Sequence, residues 1–499
     1  MNGPGARPDR QFSNPLNVVA LGDPFALRHR GRFYLYGTND GPPLPDGRVI
    51  PVFRSEDLVN WEPLGGALAP DDSSADHWAP EVLAWNGRFY MVVSHGDVDR
   101  RGHALWVAVA DRPEGPFHLR KRLSDPSERF SIDGSWLLDD DGRLYLFRCL
   151  DFVDPGDPPH GTGIVVQPMR DPLTPSGPPS TVLRAHSAWH LFESNRAMPL
   201  YEGRRFAEWT TIEGPAPARR RGRYFCGYSG GHYAGDYGTG EAVADSPLGP
   251  YHDLHGREGP LFATTPGLVE GPGHFSIIRP DHIHDWIVLH GRRPGESDRR
   301  VWLSPASWSA EGVAIGPLTD RPQAAPALPT PLGRFAEDGA AGWTLEAGAW
   351  RHVGDGLQLG GDGEVGSCRR EGPQLAGDWA LEVDLRFPEV GPGRAEISLR
   401  AAGGAEFAVS IPASPDGLAH LAGADGRRVE VRLPTLGDEP FDARSFHAIL
   451  IRAESGRAEV RLDGVPLGDD LRIPEGPASL VLRAEGPAIF DAVAVARIA

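Results

Sequence analysis

One short phrase occurs four times in this chain, and each copy opens an apolar stretch typical of a β-strand. The phrase is a glycine and an arginine followed by two apolar or aromatic residues. The copies are Gly31-Arg32-Phe33-Tyr34, Gly87-Arg88-Phe89-Tyr90, Gly142-Arg143-Leu144-Tyr145 and Gly222-Arg223-Tyr224-Phe225. A turn-plus-strand unit repeated at this spacing is typical of a radial array of small sheets. The pattern therefore predicts an all-β protein.

A second fixed position lies eight or nine residues before each copy of the phrase. Asp23, Ala79, Asp133 and Glu213 occupy it in turn, and a fifth, degenerate copy carries His274 there. The inner strands of a propeller run along its axis, so these residues are predicted to meet at one mouth of the channel. Acidic residues are also common in turns. Ala79 and His274 argue against that alternative, because the turn itself does not demand an acid. Three carboxylates in one place raise the pKa of at least one of them, which suits acid/base chemistry on a glycosidic bond.

Further repeated phrases between these copies indicate a third and a fourth strand in each unit. Five units of four strands predict a five-bladed β-propeller over residues 1–320. A Pro-rich insertion within 154–209 is predicted to shape the mouth of the site. Residues 321–333 are rich in proline and alanine and are predicted to form a linker. From 334 to 499 the chain alternates apolar and polar residues, which predicts an antiparallel β-sandwich.

Composition excludes several classes of function. The formal net charge is −18, so nucleic acid is not expected as a partner. No apolar run is long enough to span a bilayer, so no membrane partner is expected. The start of the chain, Met1-Asn2-Gly3-Pro4-Gly5, lacks the apolar core of a signal peptide. A cytoplasmic location is therefore expected, with secretion after removal of an export signal as the alternative.

Six short segments of the chain match the pattern of a known family. They are Asp23-Pro24-Phe25, Trp78-Ala79-Pro80-Glu81-Val82, Ile132-Asp133-Gly134, Glu213-Gly214-Pro215, Ser246-Pro247-Leu248-Gly249-Pro250 and Gly271-Pro272-Gly273-His274-Phe275-Ser276. By these segments the stretch from about Asn17 to Thr319 resembles glycoside hydrolase family 43, whose members are five-bladed propellers. The resemblance implies single displacement with inversion. Asp23 would be the general base that activates water, Glu213 the general acid, and Asp133 the residue that raises the pKa of Glu213 and orients it. The C-terminal part resembles laminin-G or concanavalin-like modules.

Two features depart from the family pattern. The family often carries Asp-Pro in the third blade, where this chain has Asp133-Gly134. A second Glu-Gly-Pro begins at Glu270, four residues before the repeat position held by His274, so Glu213 is retained as the acid. The resemblance also implies that His274 faces the channel and helps to hold a hydrated Ca²⁺. The alternative is a hydrogen-bonded lining histidine without a metal, since Ca²⁺ prefers oxygen ligands.

Four other residues are candidates for substrate binding. The aromatic side chains of Trp78, Phe25 and Trp136 are suited to stacking on a sugar face, with core packing as the alternative. Arg299 and Arg300 precede a strand of the last blade, and one of them is expected to grip a sugar hydroxyl or Asp23. Arg300 is predicted to make this contact, with a surface salt bridge as the alternative.

The leading hypothesis is an exo-acting, inverting α-L-arabinofuranosidase that acts on pentose-containing oligo- or polysaccharides. The alternatives within this chemistry are a β-xylosidase, an arabinanase, or a related β-fructosidase or galactosidase. The alternative from another class is a non-catalytic propeller that binds glycan or protein. The sandwich is expected to brace the propeller, with glycan binding as its alternative role. No organic cofactor is expected.

Overall fold

The computed structural model of the chain describes residues 10–498, with gaps at 71–75, 97–101, 255–258, 310–311, 362–363, 372–374, 376, 436 and 438. The segment Met1–Gly5 lies outside these residues, and so do the outer limits, 1 and 499, of the two predicted domains. The described chain is almost entirely β-structure, as predicted. None of its helices is long or apolar enough to cross a membrane.

The first two blades are separate four-stranded antiparallel sheets. Within each, every strand pairs with the next one along the chain. The repeated Gly-Arg phrase forms the turn between the first two strands, where Gly31 has a φ of 68° and Gly87 a φ of 78°. Glycine adopts a positive φ without steric cost. The strands are β1 (Gln11–Phe12); β2 (Leu21–His29), β3 (Arg32–Asn39), β4 (Val49–Ser55) and β5 (Glu62–Leu68) in blade 1; and β6 (His77–Trp85), β7 (Arg88–Gly96), β8 (His103–Ala110) and β9 (His118–Arg122) in blade 2.

Blades 3 and 4 join into one larger sheet, because β12 pairs in parallel with β16 at Gly161–Thr210 and Thr162–Thr211. The insertion between the two blades contains the 3-10 turns Ala188–His190 and Pro199–Tyr201, and a strand paired with β16. The strands are β10 (Ser131–Leu138), β11 (Leu144–Phe152), β12 (Gly161–Asp171), β13 (Thr174–Pro175), β14 (Ser180–Leu183), β15 (Leu191–Met198), β16 (Arg204–Arg220), β17 (Arg223–Gly230), β18 (Gly238–Ala244), β19 (His252–Asp253) and β20 (Phe262–Ala263).

Blade 5 is again a separate four-stranded sheet, and the segment after it returns to the start of the chain. Blade 5 comprises β21 (Glu270–Ile278), β22 (Asp285–Arg292), β23 (Arg300–Ser309) and β24 (Gly312–Ile315). The following strand, β25 (Gln323–Ala324), pairs with β1, and the Asn14 amide group bonds both backbone groups of Leu303 at 2.9 Å. The start of the chain is thus held against blade 5. Within the described residues the sheets make five blades, as predicted.

The C-terminal part is a sandwich of two antiparallel sheets. One sheet has the order β28-β29-β40-β31-β36-β37-β38, with β26 beside β40, and the other has the order β27-β30-β39-β32-β33-β34-β35. The elements are β26 (Thr330–Gly333), α1 (Phe335–Asp338), β27 (Thr344–Ala347), β28 (Trp350–Val353), β29 (Gly356–Leu359), β30 (Val365–Arg370), β31 (Asp378–Arg386), β32 (Arg394–Ala401), β33 (Glu406–Pro412), β34 (Leu418–Ala422), β35 (Arg428–Arg432), β36 (His447–Glu454), β37 (Arg457–Leu462), β38 (Val465–Arg472), β39 (Ala478–Glu485) and β40 (Ala488–Ile498). The segment 321–333 contributes to both parts, since β25 pairs with the propeller and β26 with the sandwich.

The propeller core lies between adjacent blades. Blades 1 and 2, for example, bury Tyr36, Val52, Met91, Ala108 and Phe117 between them. Because a blade is covered on both faces, its second strand is a continuous apolar run and not an alternating one, as in β7. The sandwich buries the alternate residues of its strands in a separate apolar core.

Buried ion pairs dock the sandwich on the propeller. Arg28, near the end of β2, pairs with Glu382 of β31, and their side chains are 10% and 5% exposed. His282 Nε2 lies 3.0 Å from the same carboxylate. Arg30 pairs with Asp491 of β40. Buried charges are tolerated only when they are paired and hydrogen-bonded, so these contacts fix how the sandwich sits on the propeller.

Glu382→Gln is expected to lower the melting temperature of the full chain and to cost about 3 kcal/mol, because it leaves the buried Arg28 without a counter-ion. Scanning calorimetry measures the change. Glu62→Gln is the control, because Glu62 pairs with Arg54 and its side chain is 64% exposed. It should cost less than about 1 kcal/mol. Equal melting temperatures for the two variants would contradict the docking role of Glu382.

Candidate active site

A β-bulge interrupts the first strand of every blade. The residue that opens the bulge has positive φ in each blade, with values of 50° at Asp23, 44° at Ala79, 54° at Asp133, 57° at Gly214 and 46° at His274. Positive φ is strained for residues other than glycine, and bulges of this kind re-aim side chains next to functional sites. Three of these residues, Asp23, Asp133 and His274, line one cavity.

The ladder register corrects the sequence alignment of Glu213 by one residue. Glu213 pairs with Ser229 just before the bulge, as Gly22 pairs with Thr38, so the bulge position of blade 4 belongs to Gly214. Glu213 thus stands at the blade-4 equivalent of Trp78, not of Asp23. The repeat alone could not separate the two positions, because spacings of both eight and nine residues occur before the Gly-Arg phrase.

The bulges surround a cavity of about 1000 Å³. Asp23, Asp133 and Glu213 all line it, as do Trp78 and His274. The predicted acids are therefore brought together from blades 1, 3 and 4. Glu270, by contrast, lies at the first residue of β21 and is not among the residues that line the cavity.

Asp23 is held as a carboxylate by the groups around it. Arg299 Nη1 donates to its Oδ1 at 2.8 Å, and the Thr38 hydroxyl donates to its Oδ2 at 2.6 Å. Burial raises the pKa of Asp23, but the charge of Arg299 and the nearby His274 and His290 outweigh it, so the pKa lies well below its usual range. The Arg299 side chain also binds Asp40, at 2.6 Å. Asp23 is therefore an ionised acceptor at neutral pH.

Glu213 and Asp133 form a coupled acidic pair. The Tyr237 hydroxyl donates to Glu213 Oε1 at 2.8 Å, and the Gly214 N–H donates to Asp133 Oδ2 at 3.0 Å. Burial raises the pKa of Glu213 to about 7. Burial and the neighbouring Glu213 carboxylate raise the pKa of Asp133 well above its usual range. Two buried carboxyls this close retain one proton between them near neutral pH. The cavity thus holds a proton acceptor and a proton donor at once.

Two glycines make room for the partners of these acids. A Cβ atom at Gly22 would lie 1.8 Å from Cζ of Arg299, and one at Gly273 would lie 2.5 Å from Cε1 of Tyr237. Both glycines stand just before a bulge, in the position that Glu213 occupies in blade 4. The absence of a side chain there lets Arg299 and Tyr237 reach the acids.

The insertion between blades 3 and 4 forms one wall of the cavity. Phe192, Arg196 and Met198 of β15 line it, together with Leu200 from the following 3-10 turn. The wall is anchored by Tyr201, whose hydroxyl donates to Asp151 Oδ2 at 2.7 Å. The predicted role of the insertion in shaping the mouth agrees with this placement.

Three predicted substrate contacts lie elsewhere. Phe25 packs in the core between blades 1 and 2, and Trp136 packs against the core between blades 2 and 3. The bulge that precedes each of them changes the phase of the strand, so their side chains do not follow those of Asp23 and Asp133 into the channel. Arg300 pairs with Glu296 at 2.6 Å, and its neighbour Arg299 takes the position against Asp23. Successive residues of a strand face opposite ways, which separates the two arginines.

Trp78 does line the cavity, with its ring stacked on His103 at 3.7 Å between centroids. Tyr237, Thr38 and Asp151 also line it and were missed from the sequence. Thr38 occupies a position that recurs in each blade, opposite the residue before the bulge, so its place in the site could have been predicted. Tyr237 and Asp151 belong to no repeated motif, so the sequence gives no signal for them.

The residues around His274 do not fit a calcium ion bound directly by the protein. His274 Nδ1 lies 3.2 Å from Asp23 Oδ1, and that same oxygen accepts a hydrogen bond from the Arg299 guanidinium. Ca²⁺ takes six to eight oxygen ligands, and a cation here would adjoin a fixed positive charge. Calcium at this site stays a prediction, and the reaction proposed for this chain uses its carboxyl groups and water.

The comparisons with known proteins agree with this geometry. Residues 12–314 match the model of glycosyl hydrolases family 43. The crystal structure of a thermostable family-43 glycoside hydrolase superposes with a TM-score of 0.52 and 29% identity, covering 63% of this chain and 99% of that one.

Two curated relatives are similar at lower coverage. An arabinoxylan arabinofuranohydrolase from Paenibacillus polymyxa is 27% identical over 56% of this chain and 46% of its own length. An extracellular endo-α-(1→5)-L-arabinanase from Thermotoga petrophila is 22% identical over 47% of this chain and 51% of its own length. The chain therefore spans about half the length of these relatives.

Arg299→Gln is expected to destabilise the protein at pH 7 by about 3 kcal/mol, because the buried Asp23 carboxylate loses its counter-ion. The lowered pKa of Asp23 adds stability above the pKa of the unfolded state, roughly 3.9, and this stability is lost as the pH falls. The gap in melting temperature from the wild type should therefore narrow toward pH 3. Arg300→Gln removes a partly exposed partner of Glu296 and is the control, with an expected cost under about 1 kcal/mol. A gap that is independent of pH would contradict the Arg299–Asp23 pairing.

Proposed function

Because the chain belongs to glycosyl hydrolase family 43, we propose that it is an inverting glycoside hydrolase that removes terminal α-L-arabinofuranosyl groups from pentose-containing glycans. The observation that carries the proposal is the contrast between two buried carboxyls in one cavity. Asp23 is held ionised by Arg299, and the pKa of Glu213 is raised to about 7. Glycosidic hydrolysis needs this contrast, since one group accepts a proton while the other donates one.

The reaction proceeds in one displacement. A water molecule beside Asp23 loses a proton to that carboxylate as its oxygen forms a bond to the anomeric carbon. Glu213 gives its proton to the glycosidic oxygen as the bond from that oxygen to the anomeric carbon breaks. Asp23 then holds one proton and Glu213 is ionised, and exchange with solvent returns both to their starting states. No further reactant is required.

Asp133 keeps the shared proton on Glu213 before the reaction. Its carboxylate accepts the fixed backbone N–H of Gly214, a contact that favours the ionised form of Asp133. The partner of Glu213 is a hydroxyl, which can turn to suit either protonation state. Burial and the Glu213 charge raise the pKa of Asp133 and favour the proton there. The fixed Gly214 contact opposes this, and we place the proton on Glu213, where the negative charge of Asp133 opposes its loss.

The wall formed by the insertion supports action at chain ends. Phe192, Arg196 and Met198 line the cavity from strand β15, which pairs with β16 of blade 4. Cation–π packing of Arg196 over Phe192, with 4.3 Å between Cζ and the ring centroid, stiffens this wall. The arabinofuranohydrolase relative supports arabinofuranosyl as the group removed. The arabinanase relative makes an endo-arabinanase the second candidate, which linear arabinan as substrate would distinguish by the length of its products.

Glu213→Gln is expected to reduce turnover of a natural arabinoside by at least about 100-fold, because the leaving oxygen no longer receives a proton. Dinitrophenolate leaves without a proton, so turnover of a dinitrophenyl arabinoside should fall much less. Steady-state rates on both substrates measure the difference. Glu270→Gln, outside the cavity, is the control and should keep both rates. Equal losses on the two substrates would rule out Glu213 as the acid.

Proton NMR of the first sugar released tests the stereochemistry. Asp23 and Glu213 come from blades 1 and 4 and flank the cavity, which supports a separation of about 6.5–9.5 Å, with room for water between the carboxyls. The expected first product is the anomer opposite to that of the substrate. A retained anomer appearing first, before mutarotation, would overturn single displacement. Absence of hydrolysis across a panel of nitrophenyl glycosides would favour the non-catalytic binding propeller.

A further inference from the structure

Adjacent blades are linked around the channel by hydrogen bonds from the bulges. In four blades, the N–H of the residue that opens the bulge donates to a side chain on the second strand of the preceding blade. Each acceptor stands opposite the residue before that blade's own bulge. We call these contacts the interblade bonds. They run from Asp23 to His290 Nδ1 at 3.0 Å, from Ala79 to Thr38 Oγ1 at 2.9 Å, from Asp133 to Ser94 Oγ at 2.9 Å and from His274 to Ser229 Oγ at 2.8 Å.

The bond between blades 3 and 4 differs from the other four. The acceptor position of blade 3, opposite Ile132, is held by Cys149. A thiol is a weak acceptor, and Cys149 is fully buried. The N–H of Gly214 donates to Oδ2 of Asp133 at 3.0 Å, and the Cys149 sulfur lies beside the same N–H as a weak acceptor. A cavity acid is therefore the strong acceptor of this N–H, where the other blades use a hydroxyl or a histidine.

Blade 1 shows what a hydroxyl at this position does. Thr38 accepts the N–H of Ala79 and donates its own proton to Asp23 Oδ2 at 2.6 Å. Among the described residues, the Thr38 hydroxyl thus links Asp23 to blade 2 by hydrogen bonds. Asp133 occupies the equivalent bulge position in blade 3, but it bonds blade 4 directly. The difference brings the carboxylate of Asp133 closer to the blade that carries Glu213.

We propose that Cys149 is a positioning residue of this site, because by supplying no hydroxyl it leaves Asp133 bonded directly to blade 4 beside Glu213. The proposal rests on the roles given above to Asp133 and Glu213. A buried sulfur that touches neither substrate nor water thereby sets how strongly one acid acts on the other. The contact between an ionised carboxylate and a backbone N–H is strong enough to hold this geometry.

Cys149→Ser tests the geometry without reference to activity. Serine is smaller than cysteine and fits the same space, and its hydroxyl should enter between Gly214 and Asp133 as Thr38 does in blade 1. A crystal structure of the variant is expected to show Oγ accepting the Gly214 N–H, with Asp133 withdrawn from that N–H. Cys149→Ala removes the sulfur without adding an acceptor, so its Gly214 N–H should stay on Asp133. An unmoved Gly214–Asp133 bond in Cys149→Ser would overturn the proposal.

The pH dependence of hydrolysis tests the effect on Glu213. In Cys149→Ser the Asp133 charge lies farther from Glu213, so Glu213 gives up its proton more readily. The alkaline limb of the rate profile should move to lower pH by about half a unit. At pH values above the limb, this shift lowers the rate by about threefold. Asp133→Asn should move the limb further in the same direction. Cys149→Ala should leave the limb at the wild-type pH, and so should Cys368→Ser, a buried change in the core of the sandwich.

The crystal structures and the pH–rate profiles together show which step of the proposal is wrong. If the Gly214 N–H moves to the serine in Cys149→Ser but the alkaline limb of the rate profile stays at the wild-type pH, the link between Cys149 and Glu213 is overturned. The same limb shift in Cys149→Ser and Cys149→Ala would reduce Cys149 to a packing residue and would also overturn the proposal. A protein without glycosidase activity would contradict the proposed function, while the crystal structures would still decide where the Gly214 N–H is bound.

Discussion

The bulge in each inner strand is the feature on which the rest of the site depends. A regular strand would send alternate side chains between the blades, and the acids would then be spread through the core. The bulge instead places one residue of each blade at positive φ, and at Asp23, Asp133 and His274 it turns the side chain to the cavity. It also leaves one backbone N–H unpaired in the ladder, which is then used to join neighbouring blades. The strained backbone, the hydrogen bonds between blades and the placement of the acids thus all follow from the bulge.

Burial alone does not set the protonation states of the acids, because it raises the pKa of all three. The fixed partners decide between them. Asp23 meets a guanidinium and two histidines, which more than offset its burial. For Glu213 the bond from Tyr237 and the charge of Arg299 oppose burial, while the charges of Asp23 and Asp151 reinforce it, so its pKa stays raised at about 7. Arg299 and Tyr237 can approach because Gly22 and Gly273 have no side chains. The chemical asymmetry of the cavity is therefore built by residues that carry no catalytic chemistry themselves.

The two parts of the chain divide the work. Every described residue that lines the cavity belongs to the propeller. The sandwich contacts the opposite end of β2, where Arg28 and Arg30 meet Glu382 and Asp491. This placement agrees with the expected bracing role. The cavity wall is supplied by the insertion at β15, which is tied to blade 3 through Tyr201 and Asp151.

The sequence by itself determined the all-β class, the propeller and sandwich, and the three acids, since repeats and period-two alternation are local properties of the chain. It could not determine side-chain direction at the bulges, because one inserted residue reverses the facing of all that follow. That is why Phe25 and Trp136, which follow a bulge, lie outside the cavity, contrary to the prediction. The register of Glu213 could not be determined either, because the repeat allows spacings of both eight and nine residues. The choice between Arg299 and Arg300 depended on the same strand phase. Tyr237, Asp151 and the exchange of a hydroxyl for Cys149 became visible only in the tertiary structure, because their partners lie on other blades, far along the chain.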